Sequence, residues 1–388
     1  MTTNTNATVF QSNPALQQAL FNAVSNDDNA KIIRLVAEGA DINATNDNGS
    51  ILLNIAATNG HIETVKILLE HGAKINATDV HDSTALHWAA TNGHTQIVAY
   101  LLQNGAKINA KTTIGSTALH LAALNDHVAV IDLLIAQGAD FNAKDNNANT
   151  ALHWAAMNGR IKSVDRLIAL GANIHAGGTV LHSAAGNNQA NTVAHLILVH
   201  KMDVHLRNQR GETPLHVAAC YGHKKVVDVL IEHGANISDK DNSGLSALHW
   251  AATGGHIHVI DGLVEHGADI HSKSDHGGSI LHSAAWNGQV NTIAHLLGLS
   301  ITVNLQNQRG ETALHLAACY GHKQSVDCLL ERGADINRKD SSGFTALHWA
   351  AMNNRSEAMA CLLAHGADKG IKDNQGRIYS DYGSVIQS

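Results

Sequence analysis

Apolar positions along this chain fall into two short alternating patterns. The first is Leu followed by two alanines, as in Leu86, Ala89 and Ala90 of "TALHWAA". The spacing i, i+3, i+4 places all three on one face of a helix. The second is V-x-x-L-L, as in Val65, Leu68 and Leu69, again one helical face. Polar punctuation separates the two. Thr or Ser ahead of the first pattern reads as a helix N-cap that accepts a backbone N–H bond. Pro214 follows such a cap, where its missing N–H costs nothing, and Asn13–Pro14 opens the first helix in the same way. "GH" or "NG" turns the chain between the helices. "HGA", "QGA" or "RGA" ends the second helix with Gly as a left-handed cap. "D-x-x-G" then makes a tight turn before the next helix.

The whole phrase recurs. Copies of [TS]-x-L-H-x-A-A begin at residues 84, 117, 150, 179, 213, 246, 279, 312 and 345, with a worn copy, "ILLNIAA", at 51–57. The step is 33 residues, except 29 between Thr150 and Thr179 and 34 between Thr179 and Thr213. One such helix pair cannot bury its own apolar stripe, whereas stacked pairs share a continuous core. The phrase D-x-x-G-x-T-x-L-H-x-A-A-x-x-G-H, followed by V-x-x-L-L-x-x-G-A-D-I-N, resembles the ankyrin repeat family over about residues 13–375. The resemblance implies an all-α solenoid of antiparallel helix pairs joined by β-hairpin fingers. Its concave face would be built from fingers and first helices. Residues 13–48 read as an N-terminal capping unit with Gln17 and Gln18 in place of T-x-L-H, and about 49–375 as the repeats. Residues 376–388 read as a partial unit, and the Asn/Thr-rich stretch 1–12 as a disordered tail.

A longer period overlies the short one. An "LHSAA", a "CYGH" and an "LHWAA" repeat follow one another twice, over about 177–276 and 277–375, as a block duplication would leave them. Between Ile174 and Thr179 only "HAGG" remains, against "HSKSDHGG" in the later block. A shortened finger is expected there, dividing the groove into two lobes. The second helices of both "LHSAA" repeats end in "LILVHKMDV" and "LLGLSITV", without "GA", so their exits must differ.

Composition narrows the function classes. The chain has 388 residues, 44% apolar, only 4% aromatic, two prolines and a net charge of −7, so aliphatic and small side chains must build the core. No block of like charges marks a nucleic-acid surface, and no nucleic-acid partner is expected. No apolar run is long enough to span a membrane. "MTTNTNATVFQSNP" lacks the regions of a secretory signal, and the four cysteines contain no C-x-x-C. A cytoplasmic monomer is expected. P-loop, G-x-G-x-x-G, G-x-S-x-G and H-E-x-x-H patterns are absent from the sequence, so neither an enzyme nor a cofactor is expected.

Histidine is abundant, at 28 residues, but repeat position explains most of it. The T-x-L-H histidines of successive repeats stand about 10 Å apart, too far to share one zinc, and no metal site is expected. They read as neutral structural groups bonded to neighbouring loops. Trp88, Trp154, Trp250 and Trp349 occupy the x of L-H-x-A-A and read as packing between repeats. Trp286 sits one place after the second Ala, near the expected groove, where packing and partner contact weigh equally.

One phrase carries more than the repeat requires. "NQRGETPLHVAACYGHKK" at 208–225 matches "NQRGETALHLAACYGHKQ" at 307–324 in fifteen of eighteen positions, while the stretches before them match at about half. Gln209, Arg210 and Glu212, with Gln308, Arg309 and Glu311, are expected on finger tips. Cys220, Tyr221, Cys319 and Tyr320 are expected at first-helix ends. Arg and Tyr are enriched where partners bind tightly. These residues, with Trp286, are the candidate partner-binding set, in two like patches about 30 Å apart. The function expected is a non-enzymatic scaffold for a protein partner of unknown identity, bound in the concave groove. The alternatives are a module that targets or inhibits a partner enzyme, and a purely architectural spacer. For the former, the resemblance implies a bacterial effector secreted into a host cell as the alternative.

Overall fold

The computed structural model of the protein describes residues 13–174, 179–299 and 301–382. The expected tail at 1–12, the shortened finger at 175–178 and the last residues, 383–388, lie outside the described residues. The chain divides into two compact units, 1–180 and 181–388. Each is a helix-turn-helix solenoid. Among the described residues there are 22 α-helices of 7 to 12 residues and one 3-10 turn, Tyr379–Asp381. First helices pack on first helices, as Pro214–Cys220 does on Ala247–Gly254, and second helices on second helices, as Lys224–Glu232 does on Ile257–Glu265.

The first-helix pattern is buried as its spacing implies. Leu86 is 1% exposed and Ala89 and Ala90 are fully buried, and the same holds throughout the copies. Alanine is required there because its methyl fills the gap between closely packed helices without forcing them apart. The second helix turns one residue from expectation. Thr64, Val65 and Leu68 are buried while Leu69 is half-buried, so the inner face is i, i+1, i+4 rather than V-x-x-L-L. Gly72 follows the helix Ile62–Glu70 at φ +91°, a conformation that Gly takes without strain. After the helix Ala190–Leu198, which lacks that Gly, Lys201 is left at φ +53°. There the loop closes from Met202 N–H to the Leu196 carbonyl, six residues back, where the standard exit (Ala73 to Leu68) closes over five.

The fingers depart from the hairpin expectation. Among the described residues, the only strand pairing is two isolated bridges, Thr45 with Ile51 and Lys240 with Ser246. Each finger is a tight turn tied by its own first side chain: Asp241 Oδ1 accepts from the N–H of Ser243 and of Leu245 at 2.8 and 2.9 Å. Where successive fingers are joined among the described residues, it is by a single backbone bond, such as Asn242 N–H to the Arg210 carbonyl at 3.0 Å and Gln308 N–H to the His276 carbonyl at 3.0 Å. One bond per step leaves no ladder, and a strand needs one.

The T-x-L-H histidines hold the stack together. Thr213 N–H donates to His216 Nδ1 at 3.1 Å, so that nitrogen carries no proton. The other nitrogen, Nε2–H, therefore donates to the Leu245 carbonyl of the next repeat at 3.0 Å. Both partners have a fixed role, so the neutral tautomer is dictated. The histidine stands third in its helix and completes a capping box with the Thr, a place taken elsewhere by Glu or Gln. The same pair of bonds recurs at His120, His249, His282, His315 and His348. In the first repeat, which has no such histidine, Gln17 does related work within its own unit. It donates to the Asp41 carbonyl at 2.9 Å and accepts from Asp41 N–H at 3.0 Å.

Burial holds these imidazoles below their ordinary pKa: His87, His120, His182, His216, His282, His315 and His348 all shift down, and His249 falls to about 4. The unfolded chain then binds more protons than the folded one below about pH 6.5. Stability from this source is complete above that pH and drains away as pH falls toward 4, where His249 too becomes protonated in the folded state. His249 alone accounts for about 3 kcal/mol across that window. Urea unfolding followed at several pH values should therefore show a midpoint that falls steeply between pH 6.5 and 4. Proton uptake on unfolding should exceed two per chain, and His249→Asn should remove part of the slope.

Candidate functional site

The face formed by fingers and first helices carries an open cleft in the second unit, of about 560 Å³. Its walls include Arg210, Leu245, Trp250, Ser283, Trp286 and Leu316. A smaller cleft of about 280 Å³ occupies the corresponding face of the first unit, beside Trp88 and the finger residue Ile114, which is 55% exposed.

The finger aspartates set the tryptophan walls. Trp250 donates its indole N–H to Asp241 Oδ2 at 3.0 Å, while Oδ1 of the same carboxylate ties the finger turn. Trp88 with Asp79, Trp154 with Asp145 and Trp349 with Asp340 repeat this at 2.8, 2.8 and 3.0 Å, always nine residues apart. Asp373 receives the Tyr382 hydroxyl at the same separation. Burial pushes the Asp145 carboxyl up, but the bonds from Trp154 and from the finger together hold it below the usual range. Tyr382 is pushed up to about 12 by burial and by its bond to Asp373. These tryptophans thus brace their own fingers, a role beyond the expected packing between repeats. Packing between repeats occurs as well, with Trp154 edge-on to His120 at 5.5 Å.

Where the x position holds Val217 or Leu316, the finger begins with Asn and the phrase "NQRGET" takes a different solution. Asn208 Oδ1 ties the turn, and Asn208 Nδ2 donates to Glu212 Oε2 at 2.6 Å; Asn307 and Glu311 do the same at 2.6 Å. Glu212 and Glu311 are only 8% and 7% exposed. Their carboxylates serve the fingers, so most of their surface is closed to a partner. Gln308 is exposed but spends its amide on the Asp275 carbonyl at 2.9 Å, and Gln209 is exposed with its carbonyl bonded to Asn242. Cys220 and Cys319 are half-buried, and burial pushes both thiols up, away from the thiolate. Arg210 and Arg309 remain exposed on their fingers, and Tyr221 and Tyr320 are 61% and 43% exposed at the helix ends.

The two copies differ in their surroundings. The Tyr320 ring meets Trp286 edge-on, with centroids 5.7 Å apart, and stacks on His322 at 6.3 Å. Tyr221 stacks on His223 at 6.1 Å, but the position matching Trp286 in that block is Gly186. Only one copy therefore builds an aromatic shelf. The cleft takes Arg210 and Glu212 from the first copy and Asn307 and Leu316 from the second. The copies thus flank a single cavity.

The model of ankyrin repeats in groups of three copies matches residues 20–112, 110–177, 181–274 and 281–373. The chain belongs to the ankyrin repeat family. No curated protein matches it. The third and fourth matched segments of the ankyrin array coincide with the duplicated blocks. Membership supports a protein–protein interaction module in general. Among the described residues, no helix of this ankyrin protein is long and apolar enough to cross a membrane.

Sequence inspection missed the finger pairing, although Asp nine residues before each of the four Trp was there to be seen. The pairing should be energetically coupled. Asp241→Asn keeps the turn but sets its amide against the indole N–H, and should cost about 1–3 kcal/mol. Combined with Trp250→Val, most of that cost should vanish, giving a coupling of about 0.5–3 kcal/mol in a double-mutant cycle read by urea unfolding.

Proposed function

We propose that this ankyrin array binds a protein partner through the cleft of its second unit. An apolar side chain of the partner enters between Trp250 and Trp286, and an acidic neighbour meets Arg210. The observation that carries this reading is the pairing of an apolar cavity with a half-exposed shelf, Trp286 on Tyr320, beside an exposed guanidinium. Aromatic and Arg side chains around a pocket that excludes water are the usual sources of binding energy. Arg210 is held loosely, with its guanidinium 3.7 Å from Glu212, so it can turn to a ligand at little cost. Of the candidate residues, Arg210, Trp286 and Tyr320 are assigned to this contact. Arg309 and Tyr221 belong to its flanks, and an extended partner reaching them would gain through avidity.

Peptides selected from a displayed random library against the full chain provide the test. Winners should carry an apolar anchor with an adjacent Asp or Glu. Their affinity should fall at least about tenfold with Trp286→Ala or Tyr320→Ala, and about threefold to tenfold with Arg210→Ala. Val80→Ala in the first unit should change nothing. Unaltered affinity in both aromatic variants, with helical content preserved, would overturn the assignment. If the partner is an enzyme that the array inhibits, the same variants should release its activity.

A further inference from the structure

The second helices carry a cluster that the cleft does not use. Asp327 lies in the helix Lys323–Glu331, and Cys361 in the helix Ser356–Ala364 packed against it, with His365 capping the latter. Cys361 and His365 are four residues apart and share a face. Cys361 Sγ–H donates to Asp327 Oδ1 at 2.7 Å, and His365 Nε2 lies 3.0 Å from the same oxygen. One donor atom from each of the three residues falls within 4.8 Å of the other two. The thiol is buried at 5% exposure, while the Asp327 and His365 side chains are 36% and 38% exposed, leaving a solvent side open.

The duplicated block supplies an internal comparison. Ninety-nine residues earlier stand Asp228, Gly262 and His266. There Lys224 takes the place beside the carboxylate, its Nζ 2.9 and 3.0 Å from the two Asp228 oxygens and 3.2 Å from where a Cβ on Gly262 would stand. His266 is 3.7 Å away. In that block an ammonium neutralises the aspartate. In the later block the matching lysine, Lys323, acts on Asp327 and Cys361 through its charge, a thiol stands where the glycine hydrogen was, and three donors of different chemistry converge.

We propose that Asp327, Cys361 and His365 bind a divalent cation of the zinc class, with water completing a tetrahedral site. Carboxylate, thiolate and imidazole are the donors that this ion takes, at about 2.0–2.3 Å each. Tetrahedral ligands then stand roughly 3.3–3.7 Å apart. The present contacts are shorter because a proton bridges them, and they open by less than about 1 Å to admit the ion. The Cys361 S–H bond breaks, its proton passes to solvent, and a sulfur–metal bond forms. Two anionic ligands balance the dication, so the bound site is neutral. The ion would clamp two successive repeats from the face opposite the fingers. The inference stands apart from the cleft and its partner.

Cobalt(II), added to the chelator-treated full chain under a non-thiol reductant, is the probe. It should give a thiolate-to-cobalt charge-transfer band and the intense visible bands of a tetrahedral ion, saturating at a single equivalent and bleached by zinc. Cys361→Ser should abolish the charge-transfer band with unchanged helical content, and His365→Ala should weaken binding at least about tenfold. His266→Ala, in the sister block, should leave the titration as in the parent protein. Absence of the charge-transfer band in the parent protein at millimolar cobalt, or its persistence in Cys361→Ser, would overturn the proposal.

Discussion

A neutral imidazole held between two backbone groups is the constraint on which the array depends. His216 accepts a hydrogen bond from the N–H that opens its own helix and donates one to a carbonyl of the next repeat, and its counterparts repeat this along the described residues. A protonated imidazole has no lone pair for the first bond, and a side chain with one functional end could not make both. The bond to the next repeat places the following cap, which positions the following histidine. Local helix capping and long-range stacking are therefore the same interaction. In a solenoid whose repeats touch only their neighbours, stability rests on such links between adjacent repeats. The cost is a row of buried bases whose protonation opposes folding.

The fingers show how a repeat varies without losing this frame. Asp241 uses one carboxylate oxygen for the turn and the other for an indole, so the residue at the finger base selects the residue nine places on. Where that place is Val217 or Leu316, an Asn–Glu pair takes over the turn, and where it is Leu121 the Thr112 hydroxyl does so. The choice decides what lines the groove: a braced tryptophan in one repeat, Val217 or Leu316 in another. The groove's variation in chemistry is thus built from three turn designs, with Asp, Asn or a hydroxyl at the finger base, and the cleft is lined by Asp241, Asn307 and Ser274, one of each.

Duplication has been followed by divergence on both faces of the second unit. On the finger side, Gly186 in one block corresponds to Trp286 in the other, and only the latter gives a tyrosine an edge-to-face partner. On the opposite side, Gly262 corresponds to Cys361, and only the latter gives an Asp–His pair a third donor. Each difference sets a glycine in one block against a side chain in the other. The helices, caps and histidine links beneath these positions are unchanged, because altering them would disturb both neighbouring repeats.

Much of this was legible in the chain itself. Period, helix faces, caps, alanine contacts and the neutral state of the histidines all follow from local spacing, because each depends on residues within a few turns or one repeat away. The doubled phrase was legible too, and half of it was a surplus over the repeat. What only the tertiary structure decided was where that surplus lies and what it bonds. Asn208 and Glu212 are consumed by the finger and Gln308 by its neighbour, whereas Arg210, loosely paired with Glu212, and Tyr320, packed on Trp286, stay exposed. Residues of both copies border one cleft, and Asp327 meets Cys361 and His365 across a repeat boundary. The second helix's inner face and the ladderless fingers belong here as well. Each depends on how adjacent repeats rotate and approach. Those quantities come from the sum of packing across the stack, and no stretch of sequence contains them.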